Sequence, residues 1–263
     1  MRIANAARVA RAAAVAAWLV AAGFIGCAGG AGDDGAGSAA EKNSPVHASS
    51  AAADRPAAAA AVPDTATTSS GVPVVLIAGT SLTAGLGLDP GDAYPAVVQL
   101  MADSAGVPVR VVNAGLSGET SAGLLRRIGW LLRDPADVVV IETGANDGLR
   151  GVNPDSTREN LRRIVAAVRE AQPGAAVMLV QMEAPPNLGE SYTGRFRAMY
   201  PEVARESGAV LVPFLLDGVA GVASLNQADG IHPNEEGARR AAATVWEALR
   251  PVLDSLDRPV PNG

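Results

Sequence analysis

The chain has 263 residues and a formal net charge of −6 at pH 7. Its length allows one or two domains, and its acidic balance predicts no nucleic-acid partner, because phosphate binding needs a clustered basic face. Hydrophobic residues make up 48% of the chain but aromatic residues only 3%, which predicts a core of alanine, valine and leucine rather than large rings.

The first 27 residues have the layout of a secretory signal. Three arginines precede an apolar run at 12–25, which is too short for a comfortable membrane span. Cys27 is the only cysteine, so an intramolecular disulfide is impossible and the residue needs another explanation. The segment, ending in Phe24-Ile25-Gly26-Cys27, resembles a lipoprotein signal, in which the cysteine becomes the lipidated first residue. The alternative is an ordinary signal cut nearby, with Cys27 unmodified or removed.

The lipoprotein resemblance implies a location. A lipid on Cys27 would hold a bacterial protein to a membrane of the cell envelope, facing the periplasm or the cell exterior. Residues 28–70 are mostly Ala, Gly, Ser, Asp and Pro, which cannot bury enough surface to offset the entropy of ordering. They are predicted to be a disordered tether. The folded domain is predicted at 71–256, followed by a short tail at 257–263.

Five short apolar runs alternate with helical patterns along the predicted domain. Runs without polar alternation are typical of strands covered on both faces. They lie at 72–77, 107–112, 138–141, 176–180 and 210–215. Strands that alternate with helices indicate a parallel sheet between two helical layers. Connection rules then favour a doubly wound three-layer α/β/α sandwich.

Two of the helices are marked by an apolar face and by residues suited to a helix start. Asn153 and Pro154 are suited to the N-cap and the first helical position of one of them. Its apolar face comprises Leu161, Ile164, Val165 and Val168. The last helix follows Asn234, and its face comprises Val245, Leu249, Val252 and Leu256.

Polar residues follow the first three predicted strands and precede the last helix. Ser81 follows the first strand, Gly118 the second and Asn146 the third, while Asp229 and His232 come before the last helix. Each has a plain explanation as a turn or cap residue. However, His232 is the only histidine in the predicted domain, and a serine nucleophile needs a base that a third group orients. Because ligands bind beyond the carboxyl ends of such strands, we expect these residues to converge.

In this order, the clusters resemble the four motif blocks of the SGNH (GDSL-type) hydrolases. The stretches 117–121, 146–151 and 229–234 resemble most closely the bacterial periplasmic thioesterase, lysophospholipase and arylesterase branch. The resemblance covers nearly the whole predicted domain and implies a flavodoxin-like sheet of five strands. One position departs from the family pattern: Thr80 replaces the usual aspartate of Gly-Asp-Ser-Leu. Threonine can still accept a turn hydrogen bond, but it carries no charge.

The resemblance also implies a mechanism. Ser81 would be the nucleophile, His232 the base and Asp229 its orienting partner, while Ser81, Gly118 and Asn146 would form the oxyanion hole. No metal or cofactor is expected. The implied partners are small acyl esters (aryl or acyl esters, acyl thioesters or lysophospholipids), and the domain is expected to be a monomer. The alternatives are a deacetylase of envelope polysaccharide and a noncatalytic tethered binding module on the same fold.

Overall fold

The computed structural model describes residues 71–256. The predicted signal with Cys27, the predicted tether and the predicted tail lie outside the described residues, so those assignments stay predictions. Between residues 71 and 256, no helix is both long and apolar enough to cross a membrane.

Five parallel strands form one sheet in the order β2-β1-β3-β4-β5. The strands are β1 (Val74–Gly79), β2 (Arg110–Gly115), β3 (Val138–Ile141), β4 (Ala176–Val180) and β5 (Val210–Val212). The predicted five-stranded, doubly wound sheet is thus confirmed. After β2 the chain crosses over β1 to form β3 on its other side, so the sheet order reverses at the carboxyl end of β1. Such a reversal opens a crevice in which ligands of doubly wound folds bind.

Prolines shift the strand boundaries from the predicted ones. The second run is predicted at 107–112, but β2 begins at Arg110, because Pro108 has no N–H to donate to a neighbouring strand, and it ends three residues later than predicted, at Gly115. The fifth run was expected to reach 215, but β5 ends at Val212, directly before Pro213. β1 begins and ends two residues later than expected, while β3 and β4 have the predicted bounds.

Helices cover both faces of the sheet. They are α1 (Ser81–Ala84), α2 (Tyr94–Ser104), α3 (Ser121–Leu131), α4 (Ala145–Leu149), α5 (Pro154–Ala171), α6 (Glu190–Ser207) and α7 (Glu235–Leu256), with 3-10 turns at Pro186–Leu188 and Ala223–Leu225. Helices α2 and α7 pack together, and α5 packs against both α3 and α6. The two groups of helices form the two outer layers of the sandwich.

The predicted helix starts and apolar faces agree with the structure except at one position. The Asn153 side chain accepts a hydrogen bond from the Asp155 N–H at 3.0 Å, and Pro154 is the first residue of α5. All four predicted apolar residues of α5 are buried. In α7, Val245 and Leu249 are fully buried, but Leu256 is 37% exposed and the buried face ends at Leu253.

The core consists mainly of valine, leucine, isoleucine and alanine, in keeping with the composition. Three of the few aromatic residues are exceptions to the expectation of a core without large rings. Tyr94, Phe196 and Tyr200 are almost completely buried. Tyr94 lies in α2 and bonds to the segment that follows β1, so one of these rings bears directly on the site described below.

Candidate active site

Ser81 lies at the end of β1, where the strand turns sharply into a single helical turn. Thr80 is the N-cap of α1, and its side chain accepts a weak hydrogen bond from the Leu82 N–H at 3.5 Å, as expected from its sequence position. Gly85 ends α1 in the left-handed conformation, with φ 72°. Ser81 is therefore the first helical residue at the point where the sheet order reverses, and it is 9% exposed.

A buried carboxylate lies beneath this turn. Glu142 directly follows β3 and is 0% exposed. Its Oε2 accepts hydrogen bonds from the Thr80 N–H and the Thr83 hydroxyl, both at 2.8 Å, and the Thr80 hydroxyl donates to both carboxylate oxygens at 3.0 Å. Burial raises the pKa of Glu142 to about 7, although the hydrogen bonds from Thr80 and Thr83 act in the opposite direction.

The network extends one residue further into the core. The Tyr94 hydroxyl lies 2.8 Å from the Thr83 hydroxyl, which itself donates to Glu142. Tyr94 therefore serves as the donor to Thr83. A Cβ at Gly79 would overlap both Thr83 Oγ1 and Glu142 Oε2, so only glycine fits at the end of β1. The chain that leaves β1 is thus packed tightly onto the buried carboxyl.

His232 reaches Ser81 from the loop that precedes α7. Its Nε2 is 3.0 Å from Ser81 Oγ, and its Nδ1 is 2.6 Å from Asp229 Oδ2. An ionised Asp229 can only accept, so the Nδ1 proton is donated to it and Nε2 is left to accept the proton of Ser81. The three side chains form one hydrogen-bonded chain, although Ser81 and His232 are 151 positions apart.

Asp229 is held by its own loop. Its Oδ1 accepts hydrogen bonds from the Ile231 N–H at 2.9 Å and the His232 N–H at 3.0 Å. Partial burial acts to raise the pKa of Asp229, but the hydrogen bonds from the His232 side chain and from the two backbone N–H groups, together with the charge of His232, lower it to about 2. Asp229 is therefore ionised throughout the neutral range.

Gln227 ties the histidine loop to the segment that follows α1. Its Nε2 donates to the Leu86 carbonyl at 2.7 Å, and its backbone N–H donates to the His232 carbonyl at 2.8 Å. An isolated antiparallel bridge between Asn226 and Pro233 closes the loop on itself. The position of His232 relative to Ser81 therefore depends on contacts from both ends of the loop.

Gly118 lies on the loop that follows β2, and Asn146 is the second residue of α4, the short helix that follows β3. Asn146 Nδ2 donates to the Glu119 carbonyl at 3.0 Å, which orients the amide and leaves its second N–H free of that bond. Gly118 is exposed with φ 77°, and a Cβ there would meet no atom within 4 Å. Its backbone conformation, rather than lack of space, therefore favours glycine at this position.

An ion pair fixes the Gly118 loop against the sheet. Glu119 is 8% exposed, and its carboxylate accepts from Arg127 Nε and Nη2, each at 2.7 Å. The same guanidinium donates to the Ala114 carbonyl in β2 at 2.9 Å. Arg127 thus links α3 to the end of β2 and to the residue whose backbone carbonyl orients Asn146.

A third buried carboxylate joins the helices that follow β2 and β3. Asp147, which follows Asn146, is 1% exposed. It accepts hydrogen bonds from the Ser121 hydroxyl at 2.5 Å, the Ser121 N–H at 2.8 Å and the Thr157 hydroxyl at 3.2 Å. These bonds hold the start of α4 against the starts of α3 and α5.

The structure places the predicted residues of the domain in two connected groups. Ser81, His232 and Asp229 are bonded directly to one another, whereas Gly118 and Asn146 meet through Glu119. Sequence reasoning assigned no role to the supporting residues, which include Glu142, Arg127 and Gln227. For Glu142 a signal was present, because a carboxylate directly after a wholly apolar strand is costly to bury and needs partners. Within residues 71–256, no cluster of three or more acidic, histidine or cysteine side chains is suited to hold a metal ion.

Comparisons with known proteins agree with this architecture. Residues 77–240 match the model of the GDSL-like lipase/acylhydrolase family. Esterase TesA of Pseudomonas aeruginosa is 43% identical over 181 residues, which cover 68% of this chain and 89% of that protein. Thioesterase 1/protease 1/lysophospholipase L1 of Escherichia coli K12 is 37% identical over 181 residues, covering 68% and 85% of the two chains.

A solved structure extends the comparison to three dimensions. The psychrotrophic esterase EstA from Pseudoalteromonas, in a structure inhibited by monoethylphosphonate, superposes with a TM-score of 0.65 at 31% identity, covering 69% of this chain and 98% of that one. The family match includes Ser81, Gly118, Asn146 and His232, and the chain covers most of the length of these relatives. The chain therefore belongs to the GDSL-like lipase/acylhydrolase family, the SGNH hydrolases, and is an esterase of that family.

Proposed function

We propose that the domain hydrolyses carboxylic esters through a covalent acyl-enzyme, with Ser81 as nucleophile, His232 as base and Asp229 as its orienting partner. The observation that carries the proposal is the continuous hydrogen-bonded chain from Ser81 Oγ through His232 to Asp229. A nucleophile within hydrogen-bond reach of a base that a third group orients is the arrangement that activates a serine hydroxyl.

In the first half of the reaction, Ser81 Oγ bonds to the ester carbonyl carbon while His232 Nε2 takes the hydroxyl proton. The carbonyl π electrons move onto oxygen and give a tetrahedral oxyanion. When the intermediate collapses, the bond to the leaving alcohol or thiol breaks and Nε2 returns the proton to that group. The ionised Asp229 keeps Nδ1 protonated and stabilises the imidazolium that forms between these two transfers.

In the second half, water attacks the acyl-enzyme carbonyl and His232 takes a proton from it. Collapse of this second intermediate breaks the bond to Ser81, which regains its proton from Nε2, and the carboxylic acid leaves. We assign stabilisation of both oxyanions to the backbone N–H groups of Ser81 and Gly118 and to the side-chain amide of Asn146. The bond from Asn146 to the Glu119 carbonyl supports this assignment, because a preoriented donor needs no reorganisation during the reaction.

Exposed apolar side chains next to the motifs support an apolar acyl or aryl substrate. Four large residues between 42 and 51% exposed lie beside the site segments in sequence: Leu86, Leu116, Leu149 and Ile231. Large apolar side chains exposed around a site gain stability when a ligand covers them. The relatives named as an esterase and as a thioesterase/lysophospholipase agree with aryl or acyl esters, acyl thioesters or lysophospholipids as substrates. No contact of the described residues favours a polysaccharide deacetylase.

Labelling with a fluorophosphonate tests the nucleophile. We expect one labelled serine, Ser81, and a fall in kcat of about 10⁶ in Ser81→Ala, the order found when a triad serine is removed. Ser104→Ala, which removes an exposed hydroxyl on α2, is the matched control and should label and turn over normally. Labelling or turnover that survives Ser81→Ala would exclude Ser81 as nucleophile, and absence of both in the wild type would favour the noncatalytic binding module.

The substrate class needs a separate experiment. Initial rates on p-nitrophenyl esters of increasing chain length, an acyl-CoA, a lysophospholipid and an acetylated sugar compare the candidates under one condition. We expect kcat/KM to rise with the apolar area of the acyl group. A preference for the acetylated sugar over every acyl ester would replace this proposal with the deacetylase.

We also propose that the protein is a monomer anchored in the bacterial cell envelope through a lipid on Cys27. The support is the sequence of the first 27 residues. In membrane fractionation of the full chain, we expect the wild type to partition with membranes and Cys27→Ser to be released or left unprocessed. Equal membrane partitioning of the two would exclude the lipid anchor, and a dimer mass in light scattering of the released protein would exclude the monomer.

A further inference from the structure

Glu142 is a buried carboxylate to which the triad chemistry assigns no role. Glu142 is completely buried, and no cationic side chain within residues 71–256 forms an ion pair with it. Burying a carboxylate without a counter-charge costs free energy, which hydrogen bonds offset only in part. A nonpolar residue at the end of β3 would avoid this cost, so the contacts of Glu142 need an explanation.

The hydrogen-bond donors that meet Glu142 come from the nucleophile's own turn. Thr80 precedes Ser81 and donates through its N–H and its hydroxyl, while Thr83 follows Ser81 by two residues and donates through its hydroxyl. The carboxylate therefore binds α1 on both sides of Ser81. No other side chain among the described residues holds this turn at both points.

We propose that Glu142 is a positioning residue for Ser81, whose ionised carboxylate fixes the turn that presents the nucleophile to His232. The inference rests on the proposed role of Ser81. An ionised carboxylate only accepts hydrogen bonds, so it can satisfy the Thr80 and Thr83 donors together. A protonated carboxyl must donate its own proton, and one threonine hydroxyl must turn to accept it. The turn then loses one of the bonds that hold Ser81 in place.

Glu142 is the member of this network with a pKa near neutrality. Tyr94 approaches from α2 and Tyr200 from α6, and burial raises the pKa of both phenols well above the ordinary value, so both stay neutral. Thr80 and Thr83 do not titrate. His232, which bonds to Ser81, must also be deprotonated to act as a base. Activity should therefore require the loss of two protons, one from His232 and one from Glu142.

The experiment is the pH profile of kcat/KM for the wild type and Glu142→Gln. In the wild type, log kcat/KM should rise with a limiting slope of about two at acid pH, because two groups must lose protons. Glu142→Gln removes one of them but, like a protonated carboxyl, faces the Thr80 and Thr83 donors with a donor of its own, so its slope should fall to about one and its plateau should lie about a hundredfold below the wild type. A wild-type slope of one, or an unchanged slope and rate in Glu142→Gln, would overturn the inference.

Thr80→Val keeps the proposal testable where Glu142→Gln does not fold. Valine matches the shape of threonine but removes one hydroxyl donor, so kcat should fall about tenfold while KM is unchanged. Thr143→Val is the matched control: this buried hydroxyl is adjacent to Glu142 and has no hydrogen-bond partner among residues 71–256, so kcat should not change. Wild-type kcat in Thr80→Val would overturn the inference.

The same panel separates this inference from the proposed function. If Ser81→Ala keeps its activity, the proposed nucleophile is wrong. If Ser81→Ala is inactive while Glu142→Gln and Thr80→Val behave as the wild type, the nucleophile stands and only the positioning role of Glu142 fails.

Discussion

Asp229 bonds to His232 and Glu142 bonds to the turn that holds Ser81, and the surroundings of these two carboxylates differ. The Asp229 side chain is 45% exposed and accepts hydrogen bonds from its own loop, and its pKa is lowered to about 2. Glu142 is 0% exposed beneath the turn after β1, and burial raises its pKa to about 7. The same functional group is thus a constant charge in one region and a titrating group in the other.

The difference follows from solvent and chain geometry rather than from the residue type. An exposed loop lets water and backbone N–H groups solvate the Asp229 charge, whereas the core around Glu142 supplies hydroxyl and N–H donors but no counter-charge. Asp229 is therefore suited to keep a histidine in one tautomer at every working pH. Glu142 is suited to a role that changes with pH.

Removing the charge of Asp229 should have the largest effect of these variants. In Asp229→Asn, kcat should fall about 10⁴-fold, because the imidazole loses its tautomer and its stabilising charge. The acid limb of kcat/KM should also move to lower pH. Steady-state kinetics across pH measure both changes, with Asp254→Asn, an exposed carboxylate on α7 paired with Arg250, as control. A fall of less than tenfold would mean that Asp229 does not support the base.

A variant that alters neither carboxylate calibrates the comparison. Asn146→Ala should lower kcat by about 10²–10³ and leave KM nearly unchanged, because an oxyanion donor acts in the transition state. Thermal melting should accompany the kinetics, since Asn146 also bonds to the Glu119 carbonyl. A change in KM alone would show that Asn146 binds the ground-state substrate instead.

The two carboxylates should affect stability in opposite pH windows. Between about 4.5 and 7 the folded chain keeps the Glu142 proton that the unfolded chain has released, so this contribution falls as pH rises, by on the order of 3 kcal/mol. Asp229 is the reverse: its contribution is present above pH 3.8 and is lost as pH falls through about 2. Denaturant melts from pH 5 to 8 should show a decline that Glu142→Gln removes. A decline that persists in this variant would contradict the raised pKa.

The position of the exposed histidine loop should also depend on Gln227. Gln227→Ala removes the hydrogen bond to the Leu86 carbonyl. His232 should then be held less firmly in reach of Ser81, and kcat should fall about tenfold. The buried Glu142 region should be unaffected, so the slope of log kcat/KM against pH at acid pH should stay as in the wild type. Gln99→Ala, which breaks side-chain bonds between α2 and β2, is a control for general loss of stability. Equal loss of kcat in both variants would argue against a specific role of Gln227 in positioning His232.

The sequence determined the fold class, because apolar runs of strand length alternating with amphipathic helices can bury their surfaces only as a covered parallel sheet. It also located the polar segments at the strand ends. Since parallel strands end at one edge of a sheet, Ser81, Asn146 and Gly118 had to follow the same edge once the strands were assigned. The roles assigned to these residues remain predictions for the experiments above.

Strand boundaries were determined only partly by the sequence. Pro108 and Pro213 lie inside the apolar runs, and their missing N–H groups limit the hydrogen bonding between strands. This is a local signal that hydrophobicity alone does not reveal. The late end of β1 depends on its partner instead, because Gly79 pairs with Gly115 across the sheet. Register of this kind is a property of two strands and cannot be read from either one.

The supports of the site were decided by tertiary structure alone. Glu142 meets Thr80 across 62 positions, and Gln227 meets Leu86 across 141. No periodicity encodes such contacts, because they depend on how segments pack rather than on the residues beside them. The same holds for the contrast between Glu142 and Asp229: the sequence supplies two carboxylates, but only burial and nearby donors decide at which pH each one ionises.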